Sequence, residues 1–274
     1  MEGSRHSKRS LQRPPVIVIG AHRSGTTATA RALRILGLHI GRHLDSHEEP
    51  REMRQLHNDY LQSLGASWHE PTPFLERVQT PRGRADCIDY LQRHLRNFER
   101  IFGLRGPLNL PFLGRVRPGK PWGWKEPRTT LFASCWVDLF PEARILQIVR
   151  HPLAVAASMQ KRELGFQAKG DPPTGRVQDL NHCLDLAIAY MEAGRAVAAY
   201  TTHYQCIRFE DIQANPAGSL TEVANFCELT FSDEQMKEAA ASIRPDTSDI
   251  WKNLPGAGEL LSRHPVAKTF GYNA

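Results

Sequence analysis

The chain has 274 residues, 41% of them apolar and 23% charged, with a net charge of +6; this is ordinary globular composition, sufficient to bury one good core. Its apolar runs fall far short of the roughly 20 residues of a membrane span, and the basic opening "MEGSRHSKRSLQRPP" lacks the apolar stretch of a secretory signal. Five scattered cysteines without a C-x-x-C pair argue against a disulfide framework or a zinc site and for a reducing, cytoplasmic setting, while positive charge spread along the chain favours a compact polyanion over nucleic acid as the ligand.

Residues 1–14 are expected to form a disordered basic arm and residues 15–274 a single domain. The run "VIVI" at 16–19 is β-branched and bounded by Pro15 and Gly20, the pattern of a buried parallel strand. A helix over 26–36 follows, closed by Gly37. Residues 41–119 interrupt the rhythm with helical patterns separated by Pro- and Gly-rich loops, notably "SLGASWHEPTPF" and "GLRGPLNLPFLGRVRPGK"; such insertions are commonly lids or binding loops. Alternation then resumes: a strand at 122–125, a helix at 129–139, a strand at 144–149 ("RILQIV") and a helix at 152–161 with proline first. A flexible loop is predicted at 164–176, then a helix at 179–199, a strand at 205–209 and a helix at 216–227 capped by Asn215. Ser232 and Gln235 have the spacing of a capping box for one more helix. Strands alternating with helices predict an α/β fold around a central parallel sheet.

Between the first strand and helix lies "GAHRSGTT". Gly20 and Gly25 have the spacing of a nucleotide-hydrolysing phosphate loop, but Thr26 stands where that loop needs its lysine, and Arg23 lies three residues upstream. Backbone N–H groups of the loop and the helix N-terminus can still converge on an oxyanion. Arg23 would add planar, bidentate donors, and Ser24, Thr26 and Thr27 would add hydroxyls. An ordinary glycine turn that only starts a helix is the competing explanation.

Four segments in order carry a resemblance. "GAHRSGTT" resembles the 5′-phosphosulfate loop of the sulfotransferases that use 3′-phosphoadenosine 5′-phosphosulfate (PAPS). "VRHPLAVAASM" matches that family's arginine at a strand end and serine eight residues later, here Arg150 and Ser158. "WGWKEPRTTLF" is similar to the K-[DE]-P-R segment of bacterial members, and "IRFEDI" to their R-[YF]-E-D-[LI] strand. The final 45 residues lack the G-x-x-G-x-x-K element of animal cytosolic members. The resemblance implies a P-loop-like three-layer sandwich and a sulfuryl transferase that works without a metal. It further implies cofactor contacts from Arg23, Ser24, Gly25, Thr26, Thr27, Arg150 and Ser158, with residues 41–119 shaping the pocket of a small-molecule or glycoconjugate hydroxyl acceptor.

Charge builds up on the bridging oxygen in such a transfer, so cations are wanted at the reacting group; Arg23 and Lys125 are the candidates. Arg128 would order its loop through carboxylates such as Glu126, or touch the nucleotide. The acceptor also needs a base. "DSHEEPREMRQLHNDYL" resembles the bacterial E-D-R-E-F segment, which puts Glu49 at the base position, with Glu48, His47 and His43 as competitors. His57, Asn58, Trp68, Phe74 and Phe112 are candidate lining groups of the acceptor cleft. The alternatives are a divergent P-loop kinase or NTPase, which would need Mg²⁺ carboxylates, and a non-enzymatic nucleotide-binding protein, which would present basic and aromatic residues on one face.

Overall fold

The computed structural model describes residues 13–41, 43–101, 119–244, 251 and 256–272. Four strands form one sheet: β1 (Val16–Ile19), β2 (Gly123–Lys125), β3 (Arg144–Val149) and β4 (Tyr204–Arg208). They are all parallel, in the order β2-β1-β3-β4, with Val16 beside Gly123 on one side and Arg144 on the other. The strand order reverses around β1 and β3, which places the ligand crevice beyond their carboxyl ends.

Alternation along β1 divides the core. Val16 and Val18 face one apolar layer, with Leu33, Leu146 and Val223; Ile17 and Ile19 face the other, with Phe132, Ile145 and Tyr190. Helices α1 (Thr26–Ile35), α9 (Pro216–Phe226) and α10 (Asp233–Ser242) cover the first face. Helices α5 (Thr129–Leu139), α6 (Pro152–Gln167) and α7 (Leu180–Ala196) cover the second. The architecture is the expected three-layer α/β sandwich. The predicted caps are present as well: Asn215 accepts from the N–H of Gly218, and Ser232 and Gln235 form both halves of a capping box.

Three helices fill the described part of the long insertion, α2 (Arg51–Ser63), α3 (Thr72–Gln79) and α4 (Pro81–Ile101). Most of the expected N-terminal arm, at 1–12, and Phe112 lie outside the described residues. Two boundaries differ from expectation. Helix α6 continues through residues 164–167 of the predicted flexible loop, and the remainder is tied down where the Thr174 N–H donates to Glu163 Oε1 at 2.6 Å. Strand β4 ends at Arg208, and Phe209 opens a short helix, α8 (Phe209–Ala214), that ends at Asn215; further along the chain lies α11 (Ala257–Ser262). Among the described residues no helix is long and apolar enough to cross a membrane.

Candidate active site

The carboxyl ends of all four strands open on one cavity of about 520 Å³, within the usual range for small-ligand sites of about 300–1,000 Å³. Its floor is the loop after β1. Gly25 sits at φ 94° with the Phe209 ring only 2.3 Å from where a Cβ would stand, so no other residue fits there. Ser24 does not reach the cavity: it is buried and its hydroxyl donates to the Ala21 carbonyl at 2.7 Å. Thr130 Oγ1 accepts from the Gly20 N–H at 2.8 Å and ties the loop to α5. The N-terminus of α1 has neither a side-chain cap nor an acidic residue in its first turn, so its first N–H groups and dipole face the cavity residues Thr26, Thr27 and Ala28.

Arg23 holds a left-handed conformation, φ 70°, which costs a non-glycine residue roughly 1–3 kcal/mol. Its neighbours maintain it. Arg150 Nη1 donates to the Arg23 carbonyl at 3.1 Å, and Arg23 Nε donates to Ser158 Oγ at 3.0 Å. Three residues taken from the ends of two strands and the second turn of α6 thus meet at one corner.

Opposite them, a turn at 45–49 is knotted around Asp45. Its Oδ1 accepts from the N–H groups of His47 (2.8 Å) and Glu49 (3.1 Å), and its Oδ2 from Arg54 (2.7 Å). The knot sends adjacent carboxylates in different directions. Glu48, at φ 61°, pairs with Arg31 and Arg34 of α1. Glu49 turns inward and accepts from Lys125 Nζ at 2.9 Å. Burial raises its pKa; Lys125 opposes that, and the Glu126 and Asp45 charges add to it.

A buried chain lies behind this wall. Trp136 Nε1, which can only donate, bonds His57 Nε2 at 3.1 Å, so the proton of His57 is on Nδ1 and donates to Glu126 Oε2 at 2.8 Å. Glu126 Oε1 accepts from Arg128 at 2.5 Å. Burial works against ionisation of Glu126, but Arg128 and His57 outweigh it and hold the carboxyl well below the usual range.

A family model described as the sulfotransferase family matches residues 14–233 of this sequence. The chain belongs to the sulfotransferase family. Among curated proteins none matches at a significant level. Solved structures of similar fold include the sulfotransferase domain of the Synechococcus PCC 7002 olefin synthase, 18% identical over all of both chains with a TM-score of 0.54. Another is the sulfotransferase STF9 of Mycobacterium avium, 15% identical over 93% of this chain and 76% of that one, TM-score 0.52. A third is the sulfotransferase domain of the curacin biosynthetic pathway, 16% identical over 92% and 98%, TM-score 0.51.

In this sulfotransferase, the candidate site residues Arg23, Gly25, Thr26, Thr27, His47, Glu49 and Arg150 line the cavity. Ser158 reaches that corner through Arg23. Lys125 stands behind the wall instead of on it. It is fully buried, and its three N–H bonds go to Thr27 Oγ1 (3.2 Å), the His47 carbonyl and Glu49, so it touches the wall residues Thr27, His47 and Glu49 from behind. His57 and Phe74 are fully buried and do not line a cleft; His57 serves Glu126 instead. Trp68 does line the cavity, its loop pinned to α7 by Tyr190 Oη donating to the Trp68 carbonyl at 3.0 Å. Among the wall residues that the sequence reading did not single out are His22 and Arg162. Both had a signal: His22 directly precedes Arg23, and Arg162 follows Ser158 by four residues, on the same face of α6.

Proposed function

We propose that this sulfotransferase takes its sulfuryl group from PAPS and gives it to a hydroxyl of a small molecule or glycoconjugate. The observation that carries the reading is the meeting of Arg23, Arg150 and Ser158 beside the uncapped N-terminus of α1. That corner offers two anion-binding devices, a helix N-terminus with Arg23 for the 5′ end and the Arg150–Ser158 pair for the 3′-phosphate. Phe209, Gln213 and Arg244 on the same cavity are the groups that would meet the nucleoside. Bound PAPS supplies an activated sulfuryl group.

The chain's own contribution is orientation and electrostatics. Glu49, of raised pKa and at the cavity wall, receives the proton of the acceptor hydroxyl. Lys125 fixes the Glu49 carboxylate against Thr27. Arg23 and the first N–H groups of α1 offset negative charge on the departing 5′-phosphate side.

Calorimetry tests the donor assignment. PAP, the product nucleotide, should bind more tightly than ADP or 5′-AMP, because only PAP can use Arg150 and Ser158. Arg150→Ala should weaken PAP about ten- to hundredfold, from the roughly 1.5–3 kcal/mol of a hydrogen bond to a charged group. Equal affinities for PAP and ADP would overturn the assignment. Turnover should persist in EDTA; loss restored by Mg²⁺ would favour a nucleotide-hydrolysing site.

A further inference from the structure

One side of the cavity is richer in positive charge than the donor corner requires. Arg162 contributes to its wall and has no carboxylate partner among the described residues; its Nε is buried without a hydrogen bond. Its guanidinium lies 5.8 Å from the centre of the Trp68 ring, and Trp68 in turn lies 4.6 Å from the imidazole of His22. His22 is over nine-tenths buried, and its Nε2 also lacks a partner. Arg128 completes this region: Glu126 takes one end of its guanidinium while its Nε remains unpartnered. Burial together with Arg128 and Arg162 pushes the His22 pKa well down, so this histidine adds a neutral hydrogen-bonding group and no charge. Buried, unsatisfied polar atoms on three neighbouring residues are rare in a finished fold and costly unless something meets them.

Resting on the sulfotransferase reading above, we propose that the acceptor is an anion, a hydroxyl compound whose carboxylate or phosphate group is held by Arg162 with Arg128, while His22 Nε2 hydrogen-bonds its body. Trp68 gives the apolar wall between them. Arg162 is then a specificity residue for the acceptor, and Glu49, on the same cavity, meets the hydroxyl. A neutral acceptor would leave the Arg162 guanidinium partly desolvated and unpaired, so the site discriminates by penalty as well as by attraction.

Matched probes separate the possibilities. In the presence of saturating PAP, 4-hydroxyphenylacetate is compared with its methyl ester, and glucose 6-phosphate with glucose, by thermal shift. In each pair that binds, the charged member should raise the melting temperature further, and which pair responds tells carboxylate from phosphate. Arg162→Gln should abolish that advantage, and Arg162→Lys should retain part of it. With PAPS present, Arg162→Gln should lower kcat/KM for the charged probe about ten- to hundredfold and, with the penalty of the unpaired guanidinium removed, should not lower it for the neutral probe. Equal stabilisation by both members, no stabilisation by either charged probe, or an equal loss of turnover for both in Arg162→Gln would overturn the proposal; the last would make Arg162 a ligand of the sulfuryl group. Failure of PAP itself to bind would instead fell the donor assignment on which this one rests.

Discussion

Glu48 and Glu49 are neighbours in sequence and strangers in the fold. Adjacent carboxylates suggest mutual repulsion as the origin of a raised pKa, but Glu48 is turned away and neutralised by Arg31 and Arg34. The rise at Glu49 comes first from burial, with Glu126 and Asp45 as the like charges and Lys125 opposing. A base must be ionised to accept a proton, so turnover should fall as pH drops through a Glu49 value lying above the ordinary carboxylate range. In Glu49→Gln the amide oxygen still accepts from Lys125, so the fold and PAP affinity should hold while turnover drops by about 10²–10⁴, and the acidic limb of the pH profile should vanish. His47→Ala is the control. Only the carbonyl of His47 is engaged by Lys125 and Thr27, and its side chain is half exposed, so its removal should be mild. Collapse in His47→Ala with survival in Glu49→Gln would reverse the assignment.

Elements meet at the buried chain Trp136–His57–Glu126–Arg128, which joins α5, α2 and the turn after β2. Glu126 accepts both from the cationic Arg128 and from the neutral His57. Replacing it with glutamine keeps the volume but leaves Arg128 buried without its counter-charge, and removal of one partner from such a pair typically costs about 3–5 kcal/mol. Urea unfolding of Glu126→Gln should show a loss of that order. A loss under about 1 kcal/mol, typical of exposed pairs, would mean that water reaches this network. None of the chain was visible beforehand except the Glu126–Arg128 pair, which lies two residues apart. His57 sits in a polar-looking helix, "REMRQLHNDYLQS", and only the packing of α2 on Phe132 and Trp136 reveals it as buried.

Across the whole molecule, legibility follows the range of the interaction. β1, its loop, β3 and the caps at Asn215 and Ser232 are written in local punctuation, a β-branched run or a capping residue a few positions from what it binds, and they could be read directly. Helices α2–α4 make sense only once they pack on α5 and on each other, so their pattern was visible but their place was not. The same division explains His151, which resembles a spacer after Arg150 but is stacked on Trp251 at 3.7 Å and lies edge-on to Tyr272. Its N–H shares Glu210 with the Tyr272 hydroxyl, both at 2.8 Å, so this point fastens the C-terminal segment to the ends of β3 and β4. Burial, reinforced by Arg150, lowers the His151 pKa to about 4. Above 6.5 neither the folded nor the unfolded chain protonates it; between 6.5 and about 4 the unfolded chain takes up a proton that the folded chain resists, so stability falls as pH falls. His22 acts in the same direction. Glu163 and Glu228, whose pKa values are lowered from 4.5, lose their contribution only at more acid pH, and Glu49 has the opposite sign. The fall in stability over the interval from 6.5 to 4.5 therefore comes from the histidines of lowered pKa, His151, His22 and His69, with Glu49 opposing it. His151→Phe, which can keep the stack on Trp251 but cannot titrate, should flatten the decline in melting temperature over that interval. An unchanged slope would show that the junction with the C-terminal segment opens to water before His151 is protonated, and that the acid sensitivity resides at His22 and His69 instead.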